Sequence, residues 1–298
     1  MQTAQAPIVL RGIVAVPSTP LGVRLRRASA RVSCRRPLLV GLVLLGLFIA
    51  SGLLAPWVTR YEPDDVDYTV TLQSPSAAHP FGTDDQGRDI LTRVIYGTRV
   101  SLVIAVIAIA IATVVGVPVG LVSGYLGGWV DACVSRVLDA MFAFPAILMA
   151  ISVLAILGPG QRSAMIAIGF ISIPEFARIA RAAMIAEKEY DYVLAARATG
   201  CTPLRIVFRG ILPNTLGPLL VLVSLGFAFS ILNETALSYL GLGAQPPTPS
   251  WGADLATGRR YLFDAPWYSF FPGAAIALLV LSLNLVGDGI RDLTDTRD

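Results

Sequence analysis

Few residues in this 298-residue chain could do chemistry, and their spacing limits what that chemistry is. Asp84, Asp85 and Asp89 surround Gly87, a grouping that invites a calcium ion. A calcium loop needs oxygen donors at alternate positions and a distal Glu, and His79-Pro-Phe-Gly-Thr-Asp-Asp-Gln-Gly-Arg-Asp89 has neither. His79 is the one histidine, and beside Pro80 it reads as structural. Cys34, Cys133 and Cys201 are odd in number, lack a CxxC spacing and read as free thiols. No Cys/His cluster is present, so no metal site is expected. A phosphate-binding loop needs Lys before Ser or Thr in a Gly-rich turn, whereas the single lysine, Lys188, lies in Ala186-Glu-Lys-Glu189. No Gly-x-Ser-x-Gly elbow occurs either. The chain is expected to carry no catalytic residue and no cofactor of its own.

The remaining polar groups sit in or beside apolar runs. Glu175 and Arg178 are three apart and are expected to pair on one helical face. Asn233, Glu234 and Ser238 lie deep in a later apolar run, and ionisable groups there mark a pathway or a buried pair. They fit a surface facing a translocation cavity or one facing a partner subunit, and the sequence leaves both open. Trp251 follows Gln245-Pro-Pro-Thr-Pro-Ser. It suits a membrane–water interface, either as a plain anchor or in a gating or docking role. Between two long apolar runs lies Tyr192-Val-Leu-Ala-Ala-Arg-Ala-Thr-Gly200, followed by Ile211-Leu-Pro-Asn214. It reads as a short helix stopped by Gly200, with Leu212-Pro213 restarting the chain.

The elements that position these groups follow from composition. The chain is 55% hydrophobic and 14% charged, where soluble domains carry about 25% charge. Runs long enough to span a bilayer, about 20 residues each, lie near 38–58, 100–122, 134–157, 164–183, 215–240 and 268–287. Backbone groups in lipid must be satisfied internally, so these are six helices; barrel strands would alternate in hydropathy. The expected fold is all-α and polytopic.

The expected division is a basic tail at 1–37, a first span at 38–58, a polar loop at 59–98, and a domain at 99–288 containing a loop at 187–213. A tail at 289–298 ends the chain. The 1–36 stretch reads as mostly disordered, with Arg24 to Arg36 near anionic headgroups. Asp89 is a helix cap, and Ile90, Leu91, Val94 and Ile95 share one face of a short interfacial helix before the second span. Gly116, Gly120, Gly124 and Gly128 recur every four residues, as at close helix contacts in membranes. With the N-terminus inside, 16 of the 23 Lys and Arg residues fall on the cytoplasmic side and 7 outside. That bias accounts for the net charge of +3 without a nucleic-acid partner. Both termini and the 187–213 loop are then cytoplasmic, in a multi-pass plasma- or inner-membrane protein.

The Ala195-Ala196 pair, Gly200 and Leu212-Pro213 resemble the docking loop of ATP-binding-cassette importer permeases, with Leu194 where that loop has Glu. Phe81-Gly-Thr-Asp-Asp-Gln-Gly-Arg-Asp89, Glu234-Thr-Ala-Leu-Ser-Tyr-Leu-Gly-Leu-Gly-Ala-Gln-Pro-Pro-Thr-Pro-Ser-Trp-Gly252 and Asn284-Leu-Val-Gly-Asp-Gly-Ile-Arg-Asp292 resemble the C-type permease subunit of dipeptide and oligopeptide importers. The resemblance covers about residues 38 to 292. It implies a type I importer permease fold and a second homologous permease subunit. It also implies two ATPase subunits or domains that bind ATP and Mg, and an extracytoplasmic peptide-binding protein. Nickel and glutathione importers share these motifs, so substrate stays open on this ground. A secondary transporter or channel without an ATPase would not need the ordered 187–213 loop.

Overall fold

The structure is a computed structural model that describes residues 21–294, with side chains from residue 36. It is helical throughout, and among the described residues the one β-type pairing is an isolated bridge between Thr83 and Asp89. Helix α1 runs Leu21–Leu53, α2 Ile90–Leu126, α3 Gly128–Phe142, α4 Ala146–Leu157, α5 Gln161–Glu187, α6 Asp191–Ala198, α7 Leu212–Tyr239, α8 Trp251–Gly258 and α9 Trp267–Thr294.

Four differences from the sequence reading have local causes. First, α1 is already helical at Leu21, inside the stretch read as disordered. Leu, Arg and Ala dominate its early turns, and all three favour helix. The first 20 residues, and the Arg24–Arg35 and Cys34 side chains, lie outside the described residues. Second, the interfacial helix and the second span are one 37-residue helix. Asp89 caps it by accepting from the Thr92 amide, and no proline interrupts it before Pro118. At 1.5 Å per residue it is about 55 Å long, well beyond a hydrocarbon core of about 30 Å.

Third, the run at 134–157 is two helices meeting at 90°. Proline at 145 disfavours helical geometry at Phe144 before it. The halves have 15 and 12 residues, each too short to span alone. Among the described residues, five helices, or six with this bent pair as one, are long and apolar enough to cross a membrane. Fourth, Gly128 does not join the glycine face; it sits at φ +56° at the start of α3 with open space around it.

The other three glycines set how closely α2 and α5 approach. A Cβ on Gly116 would fall 2.8 Å from the Ile173 carbonyl, and one on Gly124 2.9 Å from that of Arg181. Gly120 lies against the Ala177 carbonyl in the same way. Such contact favours association through van der Waals packing, which must replace the hydrophobic effect between helices in lipid. The buried core follows from it. Ile109, Phe176, Met184, Val193, Ile211 and Leu222 pack where α2, α5 and α7 meet at one end, and Ile90, Val94, Trp251, Tyr268 and Leu279 pack at the other.

Candidate functional site

The chain leaves α5 at Glu187 and folds into a hairpin. Helix α6 ends in a turn in which the Cys201 amide donates to the Ala196 carbonyl and that of Gly200 to Arg197, each at 3.0 Å. Gly200 has φ +78°, a left-handed backbone that a side chain disfavours. The chain returns through Pro203–Arg205 and a π-helical stretch, Ile206–Ile211, into α7. Pro213 lies in the first turn of α7, where its missing amide costs no bond. Val193 points inward at 0% exposure and joins Ile206 and Ile211.

The rest of the hairpin surface faces out. Of the residues singled out from sequence, Ala195, Gly200 and Pro213 are exposed, while Ala196 and Leu212 are half-buried. Leu194, at the position of the resembled loop's Glu, is exposed too. Sequence reading missed Leu204 and Phe208, which are 71% and 60% exposed. Two large apolar residues four apart in a polar segment are the signal that would have found them. Tyr192 ties the hairpin's two ends: its hydroxyl donates to Glu187 at 2.7 Å and accepts from the Asn214 amide at 3.1 Å. Partial burial, then the bond to Glu187, raises its pKa above the usual phenol value.

Behind the hairpin, polar groups join three helices. Asp131 on α3 takes two bonds of 2.5 Å from the Arg181 guanidinium on α5 and one of 2.6 Å from Ser123 on α2. Lys188 donates to the Gly124 carbonyl and closes this joint. The Arg197 guanidinium of α6 lies over the Tyr125 ring at 5.3 Å. The expected Glu175–Arg178 pair is not made. Arg178 reaches Asp139 at 3.3 Å and stacks on Phe142 at 3.8 Å, because α3 passes close beside α5.

The opposite end is a sealed cap. Asp84 accepts from the Gln86 and Arg88 amides and from the Arg88 guanidinium at 2.6 Å, so in the aspartate-rich loop an arginine occupies the place a cation would take. Arg93 donates to Asp254 on α8 at 2.6 Å, and both are 4% exposed. His79 meets Asp89 at 3.0 Å and stacks on Tyr61.

Two sequence readings change here. Trp251 is fully buried: its indole donates to the Val94 carbonyl at 2.9 Å, and a Cβ on Gly97 would fall 2.6 Å from the indole nitrogen. It therefore clamps α8 to α2 and does not lie at an interface. Glu234 is 1% exposed and accepts from Ser238 at 2.8 Å, Ser101 at 3.1 Å and Ser250 at 3.4 Å. It binds α7, α2 and the proline-rich loop together and opens onto neither a cavity nor an outer surface of this chain. Ser238 is buried with it, and Asn233 is half-buried.

Residues 116–297 match the binding-protein-dependent transport system inner membrane component family. The chain belongs to that family. It is 43% identical over 272 residues to a dipeptide transport system permease protein of Alkalihalophilus pseudofirmus, covering 91% of this chain and 90% of that one. It is 45% identical over 264 residues to a dipeptide transport system permease protein of Escherichia coli strain K12, covering 87% and 88%. It is 41% identical over 263 residues to a di/tripeptide transport system permease protein of Pseudomonas aeruginosa, covering 86% and 87%. In fold it is similar to a chain of the MetNI methionine ABC transporter in an inward-facing conformation. The TM-score is 0.57 at 19% identity, over 68% of this chain and 96% of that one. The permease is thus an all-α, multi-pass membrane protein with the type I importer fold.

Proposed function

We propose that this permease forms half of the membrane path of an ATP-driven importer of di- and oligopeptides, beside a second homologous permease subunit. The exposed hairpin carries the reading. Leu194, Leu204 and Phe208 lie on it among Arg197, Arg205 and Arg209, all solvent-facing. Exposed apolar residues ringed by charge mark a surface that a protein partner covers. That partner is an ATPase subunit, and two such subunits or domains supply the ATP and Mg sites. Closure of the ATPase pair moves α6 as a rigid body, and the Arg197–Tyr125 and Asp131–Arg181 contacts pass the movement to α2, α3 and α5. The peptide substrate is supported by what the relatives above are named for. The cap end faces the extracytoplasmic peptide-binding protein, and the hairpin end and both termini face the cytoplasm, in keeping with the positive-inside bias.

Topology and coupling are tested together. In a background lacking Cys34, Cys133 and Cys201, a membrane-impermeant thiol reagent on intact cells should label Ser76→Cys and spare Pro203→Cys. Reversed labelling would overturn the orientation. An ATPase chain should co-purify with the permease, and a Leu204→Asp, Phe208→Asp variant should lose it while still inserting. Full retention of the ATPase by that variant would remove the docking role of the hairpin.

A further inference from the structure

Between the hairpin-side ends of α5, α7 and α9 lies a cavity of about 970 Å³, with Tyr192 of α6 in its wall. Its size suits a small ligand. Two opposite charges from different helices line it, Glu187 at the end of α5 and Arg291 near the end of α9. Arg291 has no ion-pair partner among the described residues. One oxygen of Glu187 takes the Tyr192 hydroxyl and the other is bonded to nothing among the described residues. Asn214 adds an amide, and Ala183, Pro218 and Val221 supply apolar wall with little shape demand.

We propose that this cavity is a cytosol-facing site for a short zwitterionic peptide, whose occupancy restrains α6 and slows the transport cycle. The peptide's terminal ammonium meets Glu187 and its carboxylate meets Arg291. Its side chains rest on the apolar wall, which accepts many of them. The link to α6 is Tyr192. Its hydroxyl bridges Glu187 on α5 and Asn214 on α7, so an ammonium on the other Glu187 oxygen fixes that carboxylate and, through the Tyr192 bond, the start of the docking helix. Cargo accumulating inside would then damp its own import, with a coupling set by how differently the two positions of α6 bind it. This inference rests on the peptide-import reading and on the cytoplasmic placement of the hairpin.

The test uses the complete complex in proteoliposomes, with the ATPase subunits facing out and liganded binding protein enclosed. Alanyl-alanine, its N-acetyl form and its C-terminal amide are each added outside, and ATP hydrolysis is read against the rate without them. The free dipeptide should inhibit, and blocking either end should weaken inhibition roughly tenfold or more, as expected for loss of a charge-assisted bond. Arg291→Gln should weaken inhibition by the free dipeptide to the level of the amide and leave no further penalty for amidation. Arg291→Lys should restore part of the difference. Glu187→Gln, which keeps an acceptor for Tyr192, should do the same for acetylation. Equal inhibition by all three compounds would overturn the proposal, as would none in a complex that imports alanyl-alanine. An anionic-lipid site on Arg291 would show as dependence on liposome phosphatidylglycerol content with no end-group preference, and would also overturn it. A complex that imports no peptide yet shows the end-group dependence would keep the site and remove the import reading.

Discussion

At one end of the permease Arg93 is 4% exposed and meets Asp254 at 2.6 Å; at the other, Arg197, Arg205 and Arg209 are solvent-facing beside Leu204 and Phe208. The cap buries Asp84, Asp89, Arg93 and Asp254 and gives each of them a partner. The hairpin leaves charges outside and exposes apolar side chains with them. A buried ion pair contributes little net stability, because desolvation offsets its attraction, but breaking it is costly. It therefore holds one arrangement of the 59–89 loop, α8 and α2. Exposed Leu and Phe gain when a partner covers them. One end holds its ion pairs inside, and the other presents arginines and apolar side chains together to solvent.

The largest expected effect tests the cap. Arg93→Met strands Asp254 in a buried site and should cost about 3–5 kcal/mol, read as lower thermal stability and yield of the detergent-solubilised permease. Adding Asp254→Leu should recover part of the loss. A single variant as stable as the parent would break the contrast between the two ends.

Trp251→Ala should cost about 3 kcal/mol, from the vacated volume beside Gly97. Trp251→Phe should cost about 1 kcal/mol, since the Val94 carbonyl loses its donor while the ring remains. Equal losses would mean that packing contributes little at this clamp.

Gly200 sharpens the other side. No atom lies within 4 Å of an added Cβ, so Gly200→Ala meets only the backbone penalty of φ +78°, about 1 kcal/mol. Gly200→Asp should insert at normal abundance but transport poorly if the turn orients the face proposed to dock the ATPase. Wild-type peptide uptake by that variant would take the turn out of the coupling role. Asp131→Asn should lower stability by less than about 1 kcal/mol, since Asp131 and Arg181 are partly solvated. It should nonetheless raise the ratio of ATP hydrolysed to peptide imported, and an unchanged ratio would remove Asp131 from the transmission route. Leu194→Glu, at an exposed position, should move stability by no more than about 0.5 kcal/mol, checked by thermal unfolding.

Spans and hairpin were legible from sequence because each has a one-dimensional cause. Lipid demands long apolar runs, and Gly200 and Pro213 punctuate the chain in ways that depend on their own covalent structure. The break before α4 was available in principle from Pro145, but it lies inside a run apolar enough to read as one span. Glu234 and Trp251 were placed wrongly for a different reason. An acid in an apolar run and a tryptophan after a proline-rich loop have the same local appearance whether they face out or in. What decided them was Ser101, Ser250, Gly97 and Val94, brought from elsewhere in the chain.

By itself, the sequence determined an all-α membrane chain, the Asp89 cap, the left-handed turn at Gly200 and the absence of a phosphate-binding loop. Tertiary structure alone decided that Arg178 pairs with Asp139 and not Glu175, that Arg93 and Asp254 meet across 161 positions, and that Glu187 and Arg291 share one cavity. Hydropathy and turn chemistry act over a few residues and are written in the local order of side chains. Pairing of charges depends on which side chains from different helices come within about 3 Å, and the glycine contacts and packing between helices set that distance.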